Sequence, residues 1–376
     1  MVLVLYLLSV IAMLVFLHPY ITYPLSLRLM RQRPLPARHG PTPSATLLFS
    51  CYNEENVLPA KLENLAAIKA LYPDIEILAY ADHCSDNSLD ILQRRPDLLR
   101  VVAATERMGK AVGMRALVEA SQGEICIFTD ANVSLDPESV GRLLDYFRIA
   151  EIGGVAGTLR YINDDSSATA GAGGLYWRLE ENIKALESRC GSIMGADGSI
   201  FASRRALYPE VPPHLLDDMT ASMSVMLHGR RLVSAPDVIA FERNVTVARE
   251  EFRRKRRIAC RAYNTHCHLW PQLRQKLPWV DRYKYLSHKV LRWFGLPFLV
   301  FAVAAASLGL WLDGALTLLS LLWGMIVVLL VGASAGVRVC ATLLSILSAI
   351  AATFLGIMDA WNGKTYQTWS PAKSRD

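Results

Sequence analysis

Hydrophobic and polar positions divide the chain into three stretches. Residues 1–27 carry no formally charged side chain and the first seventeen are nearly all apolar, enough with their flanks to cross a hydrocarbon layer about 30 Å thick. They predict an N-terminal transmembrane helix. A cleaved signal peptide fits less well, because no Lys or Arg precedes the apolar run and no small-residue cleavage site follows it. In the second stretch, short runs of β-formers at 45–50, 75–80, 100–103 and 125–128 predict strands. Helix-forming segments begin near Val57 and near Leu89 and cover 110–121. Strands alternating with helices imply a parallel sheet with right-handed crossovers, which binds ligands beyond the carboxyl ends of its strands. Past Pro137 the pattern loosens: 153–158 reads as a strand, 166–174 as small and flexible, 176–186 as helix, and 232–235 and 238–241 as two short strands. The third stretch holds apolar runs at 293–312, 314–337 and 339–358, broken only by Asp313 and Arg338. Two or three of them span. Three would leave the tail with Lys364, Lys373 and Arg375 outside, against the positive-inside rule, so the topology stays open.

The segmentation that follows is a transmembrane helix at 1–27, a basic, Pro-rich linker at 28–43, a cytosolic domain at 44–262, an amphipathic segment lying in the interface at 263–292, a transmembrane region at 293–358 and a tail at 359–376. Composition agrees. A chain of 376 residues, 52% hydrophobic with a net charge of +6, is too long for one ordinary domain and too apolar for a wholly soluble one. Arg28, Arg31, Arg33 and Arg38 directly follow the first apolar run and place the next domain in the cytoplasm. Seven scattered cysteines without paired spacing suit a reducing compartment, and the group Cys260, His266, Cys267 and His268 matches no usual zinc spacing.

Candidate chemistry collects at the strand ends. Asp130 and Asn132 sit just past the strand at 125–128, where two oxygen-bearing side chains can share one hard divalent cation whose shell a nucleotide diphosphate completes. The plain alternative is an Asx turn closing the strand. Tyr52, Asn53, Glu54 and Glu55 follow the first strand, and Asp82 and Asp86 the second, with Asp86 and Asn87 better suited to capping a helix. Neither a dinucleotide fingerprint nor a P-loop is present, so the nucleotide is a substrate. Gly195, Ala196, Asp197 and Gly198 form a turn that lets backbone approach a bulky polar ligand. Asp217 and Asp218 begin a helix running to His228; one carboxylate can cap it and Asp218 is left to face a cleft. Seven basic residues at 249–261 suit lipid head groups or a departing diphosphate. Nucleic acid is not an expected partner.

In this order, the motifs resemble those of the membrane-bound family 2 glycosyltransferases, with a GT-A catalytic domain, a group that includes chitin-oligosaccharide, hyaluronan, cellulose and poly-N-acetylglucosamine synthases. The likeness covers about residues 45–261 and extends to one leading and several trailing membrane segments. It implies an α/β domain with a mixed, mostly parallel sheet and helices on both faces. Tyr52, Glu54 and Asp82 then hold the base and ribose of a nucleotide sugar such as a UDP-sugar, and Lys110 lies near the nucleotide. Asp130 and Asn132 occupy the D-x-D position and imply Mg2+ or Mn2+. Gly195, Ala196, Asp197 and Asp217 fall around the acceptor, Asp218 matches the general base that ends T-E-D, and Arg254 and Arg257 match Q-x-x-R-W. The chain departs from the pattern at Asn132, Arg115, Arg254 and Ile258, and the last two weaken any expectation of processivity.

The implied activity is an inverting transfer from a nucleotide diphosphate sugar to a glycan or lipid-linked acceptor in polysaccharide synthesis at the inner (plasma) membrane. Other polysaccharide-assembly proteins are the natural partners. Transfer of a single sugar to a polyprenyl phosphate, or a membrane scaffold that binds nucleotide sugars without turning them over, are the alternatives.

Overall fold

Leu47 and Phe49 point to one face of the first strand and Leu48 to the other, and all three are fully buried, which requires a sheet covered on both sides. The computed structural model, which describes residues 1–163 and 166–368, has that arrangement. The elements in chain order are α1 (Val2–Leu17), α2 (Thr22–Leu29), β1 (Ala45–Cys51), α3 (Leu58–Leu71), β2 (Glu76–Ala81), α4 (Ser88–Gln93), β3 (Arg100–Ala103), α5 (Lys110–Ala120), β4 (Ile125–Asp130), β5 (Ser134–Leu135) and α6 (Ser139–Tyr146). Then come β6 (Ile152–Tyr161), α7 (Ala168–Arg189), β7 (Ile200–Arg204), α8 (Asp217–Leu227), β8 (Arg231–Glu242), α9 (Ala248–Lys276), α10 (Trp279–Tyr285), α11 (Leu291–Trp293), α12 (Gly295–Leu312), α13 (Leu316–Ser334) and α14 (Arg338–Trp361). The sheet order is β3-β2-β1-β4-β7-β6-β8-β5. β1 runs parallel to β2 and β4, β2 to β3 and β6 to β8, whereas β7 is antiparallel to β4 and β6, and β5 to β8. This is the mixed, mostly parallel sheet expected of a GT-A domain.

Alternation along β1 feeds two cores. Leu47 and Phe49 join Leu58, Leu62 and Leu65 of α3, and Leu48 joins Met114 and Leu117 of α5 and the methionines of α8. Because β7 reverses twice between β4 and β8, the carboxyl ends of β1, β4 and β8 share one edge of the sheet.

Four expectations change. The stretch 166–174 is helical: Ser167 Oγ accepts the N–H of Ala170 at 3.0 Å to cap α7, and a side chain at Gly173 would collide with Asn244. Its small residues permit close packing rather than motion. The two short strands near 232–241 are one, with a register shift opposite 156–158 around Pro236, which cannot donate to the ladder. The first apolar stretch is bent by 63° between α1 and α2, and Tyr23 and Leu27 of α2 pack on Ile183 and Leu186 of α7. The segment at 263–292 is internal only in part: α9 continues to Lys276, and Lys284, Tyr285, His288 and Arg292 are buried while Trp279 is exposed. His288 Nδ1 lies 2.7 Å from Glu187 Oε1 and its Nε2 2.9 Å from Glu180 Oε1, while Arg292 Nη1 lies 2.5 Å from Glu180 Oε2.

Among the described residues, α12, α13 and α14 are long and apolar enough to cross a membrane. α1 packs on α12, and α14 packs on α9 of the catalytic domain. There Arg256 grips Asp359 through two bonds of 2.7 Å. The chain after α14 turns back onto the domain, where Lys364 O accepts from Asn264 Nδ2 at 3.2 Å. Of the tail at 359–376, residues 369–376, including Lys373 and Arg375, lie outside the described residues.

The α9–α14 contact is close enough to test. A methyl at Gly356 would collide with the Arg256 carbonyl and lie 2.8 Å from Ala259 Cβ, so Gly356→Ala is expected to cost about 1–3 kcal/mol through overpacking. Thermal unfolding of the detergent-purified chain reads this as a lower Tm; an unchanged Tm would mean that the helices do not meet there.

Candidate functional site

Three elements bring their ends together at the carboxyl edge of the sheet: β4 ends at Asp130, α5 begins at Lys110, and α8 begins at Asp217 and Asp218. Lys110 Nζ lies 2.5 Å from Asp130 Oδ1 and 3.8 Å from Asp217 Oδ2. The turn at 195–198 closes over it, and a Cβ at Gly198 would stand 2.9 Å from Lys110 Nζ and 3.6 Å from Asp218 Oδ2. A side chain there would have to push the ammonium aside.

Burial disfavours the Lys110 ammonium, but Asp130, Asp217 and Asp218 outweigh it and hold its pKa above the ordinary lysine value. Asp218 goes the other way. Burial first, and then the charge of Asp217, push its carboxyl up to about 6, partly offset by Lys110. Leu216 holds the cap position of α8, and Asp218 Oδ1 accepts the first-turn N–H of Met219 at 2.6 Å. The acid expected to face the cleft therefore also bonds a helix-start amide, and Asp217 lines the cleft with it.

That cleft is a single cavity of about 1190 Å³, more than the roughly 300–1,000 Å³ typical of one small-molecule site. Of the residues singled out from the sequence it gathers Glu54, Lys110, Asp130, Asn132, Gly195, Ala196, Asp197, Asp217, Asp218, Arg254 and Arg257. Asp197 is steered by Lys184, a fully buried ammonium 3.3 Å from its Oδ2 and 2.5 Å from Glu181 Oε1. Arg254 is paired with Glu251 at 3.2 Å. The same cavity also has apolar lining, from Phe16, Leu17 and Tyr20 and from Ile346, Ala349 and Ile350 of α14.

Tyr52 and Asp82 do not line this cavity. Asp82 is fully buried and accepts the backbone N–H of Met108 at 2.8 Å and of Gly109 at 3.0 Å; it shapes the loop that delivers Lys110. Tyr52 lies under the Arg107 guanidinium, 3.5 Å from its ring centre. Asn87 holds the cap position of α4, and Asp86 Oδ1 accepts the N–H of Ser88, its first residue, at 2.9 Å.

Other members were not singled out from the sequence. Glu242 ends β8 on the edge that carries Asp130, and its Oε1 accepts from Asn132 Nδ2 at 3.0 Å. The strand-end argument that found Asp130 would have found it, had 238–241 been placed in the same sheet. Arg261 of α9 is buried, 4.0 Å from Asp217 Oδ1, and donates to the Leu215 carbonyl. Lys364 and Tyr366 of the tail also line the cavity, and a side chain at Gly109 would collide with the Gln367 carbonyl.

Among the described residues no three His, Cys, Asp or Glu side chains converge as a closed metal cage. Asp130 and Asn132 fit a different kind of site. The Asn132 amide nitrogen is engaged by Glu242, which leaves its carbonyl oxygen as the ligating end, and the Asp130 carboxylate already attracts a cation in Lys110. Mg2+ and Mn2+ bound through one or two protein oxygens plus substrate phosphates need no more.

The profile of the family "Glycosyl transferase family 2" matches residues 46–211. An undecaprenyl-phosphate 4-deoxy-4-formamido-L-arabinose transferase from Serratia proteamaculans (strain 568) is 32% identical over 136 residues, 35% of this chain and 41% of that protein. The enzyme of that name from Pseudomonas syringae pv. syringae (strain B728a) is 34% identical over 133 residues, 34% of this chain and 39% of its own length. The chain thus spans about two fifths of the curated relatives it matches. A mannosyltransferase from Pyrobaculum calidifontis, solved in complex with GDP-Man and Mn2+, aligns over 96% of this chain and 100% of its own with a TM-score of 0.69 at 18% identity, a likeness of fold. With the sheet order and the acid cluster at its edge, the match makes residues 46–211 a glycosyltransferase family 2 domain on a GT-A fold.

Proposed function

We propose that this chain is a membrane-bound inverting glycosyltransferase that moves a sugar from a nucleotide diphosphate sugar, UDP-sugars first among the candidates, to a lipid-linked acceptor. The continuity of the cavity carries this reading: Asp130, Lys110 and Asp218 line it together with Phe16, Ile346 and Ile350 of the membrane helices. An acceptor with an apolar chain lies between those helices while its head reaches Asp218. The catalytic domain faces the cytoplasm at the inner membrane. Because Lys364 and Gln367 lie against that domain, an even number of the helices α12–α14 crosses, and two spans keep the basic tail inside, in accord with the positive-inside rule.

In the proposed reaction Asp218 takes the proton of an acceptor hydroxyl as its oxygen attacks the anomeric carbon. The bond from that carbon to the diphosphate breaks, and its electron pair leaves with the nucleotide. Lys110, Arg254 and Arg257 offset the charge that develops there. Asp197, steered by Lys184, orients the acceptor. Held by Asp130 and Asn132, Mg2+ or Mn2+ would add a further positive charge beside the departing diphosphate.

A second reading has a specific observation in its favour. The relatives named above act, by name, on undecaprenyl phosphate, and a phosphate acceptor is already an anion that needs little help from a base. Asp218→Asn separates the two: transfer to a hydroxyl should fall by about 10²–10⁴-fold, whereas transfer to polyprenyl phosphate should fall less than about tenfold. Nucleotide-sugar affinity should be retained in both cases.

Two further outcomes follow from the site. With Asp218 held at about 6 by burial and Asp217, its basic form dominates above that pH. Transfer to a hydroxyl should therefore lose about tenfold per unit below pH ~6 and level off above it; a profile flat down to pH 4.5 would remove Asp218 from the role. Incubated with labelled nucleotide sugars, the purified chain should release free nucleoside diphosphate from at least one donor, faster with Mn2+. Release from none would leave a nucleotide-sugar-binding scaffold.

A further inference from the structure

Lys289, Arg292 and Gly295 lie three residues apart where the chain enters α12, and each meets a different part of the cavity wall. Lys289 lies against the turn at 195–198, since a Cβ on Gly195 would stand 3.7 Å from its Cε. A Cβ on Gly295 would stand 3.5 Å from Ile350 Cγ2 and 3.6 Å from the Phe16 ring, both part of the apolar lining. Arg292 comes between them in the chain, lines the same cavity and is only 9% exposed. Its Nη1 is engaged, 2.5 Å from Glu180 Oε2 and 3.4 Å from the Tyr176 hydroxyl. Its Nε and Nη2 are buried and have no acceptor. Those two nitrogens form the bidentate edge of a guanidinium, the edge with which Arg256 grips Asp359. Glu180 thus balances the charge of Arg292 without reaching this edge. Buried donors left without an acceptor are costly, and the ring faces of Tyr20 and Tyr176, 5.5 and 5.8 Å from Cζ, attract a cation but offer no oxygen to those N–H groups.

We propose that the Nε and Nη2 edge of Arg292, with Lys289 beside it, is the subsite for the phosphate of the lipid-linked acceptor. Lys289 Nζ lies 3.2 Å from Glu180 Oε1, so one carboxylate holds both cations in one place. A rigid fork and a second ammonium suit an oxyanion with several oxygens, which a phosphate ester supplies. A phosphate held there leaves its apolar chain to Phe16 and Ile350 and its head to the turn at 195–198, which closes over Lys110. Seating it displaces ring contacts at the fork and breaks no hydrogen bond made by Nε or Nη2.

The inference rests on the proposed function only in that the acceptor is lipid-linked. It is tested by binding, without turnover, on the full chain in an uncharged detergent, with farnesyl phosphate, farnesol and inorganic phosphate titrated by calorimetry. Farnesyl phosphate should bind at least about tenfold more tightly than either of the others. Arg292→Lys keeps a cation for Glu180 and removes the fork; farnesyl phosphate affinity should fall about 10–100-fold while farnesol binding is unchanged. Lys289→Gln, at a partly exposed position, should cost about tenfold and carries the test if Arg292→Lys does not fold. Variants that bind farnesyl phosphate within about threefold of the natural chain would overturn the inference, and so would farnesol or inorganic phosphate binding as tightly as farnesyl phosphate. Displacement of farnesyl phosphate by an equal concentration of phosphatidylglycerol would assign the fork to a bilayer head group and overturn it too. Failure of the proposed function appears separately, as no nucleoside diphosphate released from any donor by a chain that still prefers farnesyl phosphate to farnesol.

Discussion

One ammonium holds the site together. Lys110 stands among Asp130, Asp217 and Asp218, and these come from three elements distant in sequence, α5, β4 and α8. Two like charges 4 Å apart repel by about 4 kcal/mol at an effective dielectric of 20, so three clustered carboxylates without a cation between them would take up protons to relieve the repulsion. Glycine at 198 lets the turn at 195–198 close onto that cation, and Asp82, by gripping the backbone at 108–109, aims it. The same ammonium sets the balance of the acids: it offsets the charge of Asp130 at 2.5 Å and partly counters the rise that burial and Asp217 give Asp218.

A second cluster ties this site to the membrane part. His288 stands between Glu180 and Glu187, and Tyr23 of α2 donates to Glu187 at 2.5 Å. Burial works to raise both carboxyls, but His288, with Lys289 and Arg292 at Glu180 and Lys284 at Glu187, holds them low. With a carboxylate oxygen at each ring nitrogen, both nitrogens can donate only if the imidazole is protonated. The helix that carries Lys184, and through it Asp197, is therefore fixed to the chain on both sides of the catalytic domain.

What could be read from the sequence follows from how local each signal was. The strands β1 to β4 were placed within two residues at each end, because short runs of β-formers bounded by polar turns are a local signal that distant neighbours do not alter. Asp130 and Asp218 were picked out by position, one past a strand and one at a helix start, and the fold brings both to one cavity. The failures share a cause. The small residues at 166–174 looked like a loop because their purpose, contact with Asn244, lies some seventy residues away. The aromatic and basic mixture at 263–292 has an interfacial composition, yet its cations meet Glu180 and Glu187, whose place on α7 no local pattern reveals. That Asp82 is buried against the backbone at 108–109 could not be read, because a buried acid and a free one look alike in sequence. Glu242 went unnoticed because its relevance depends on sheet order, which periodicity does not contain.

The close approach of Gln367 to Gly109 changes what the membrane region is. A chain trimmed to its soluble domain would keep the sheet and the acids but lose a wall of the cavity, the part built from α14 and the tail beyond it. The helices are components of the pocket as well as its mooring, and the geometry of the sugar site is complete only in a chain whose hydrophobic half has already been assembled.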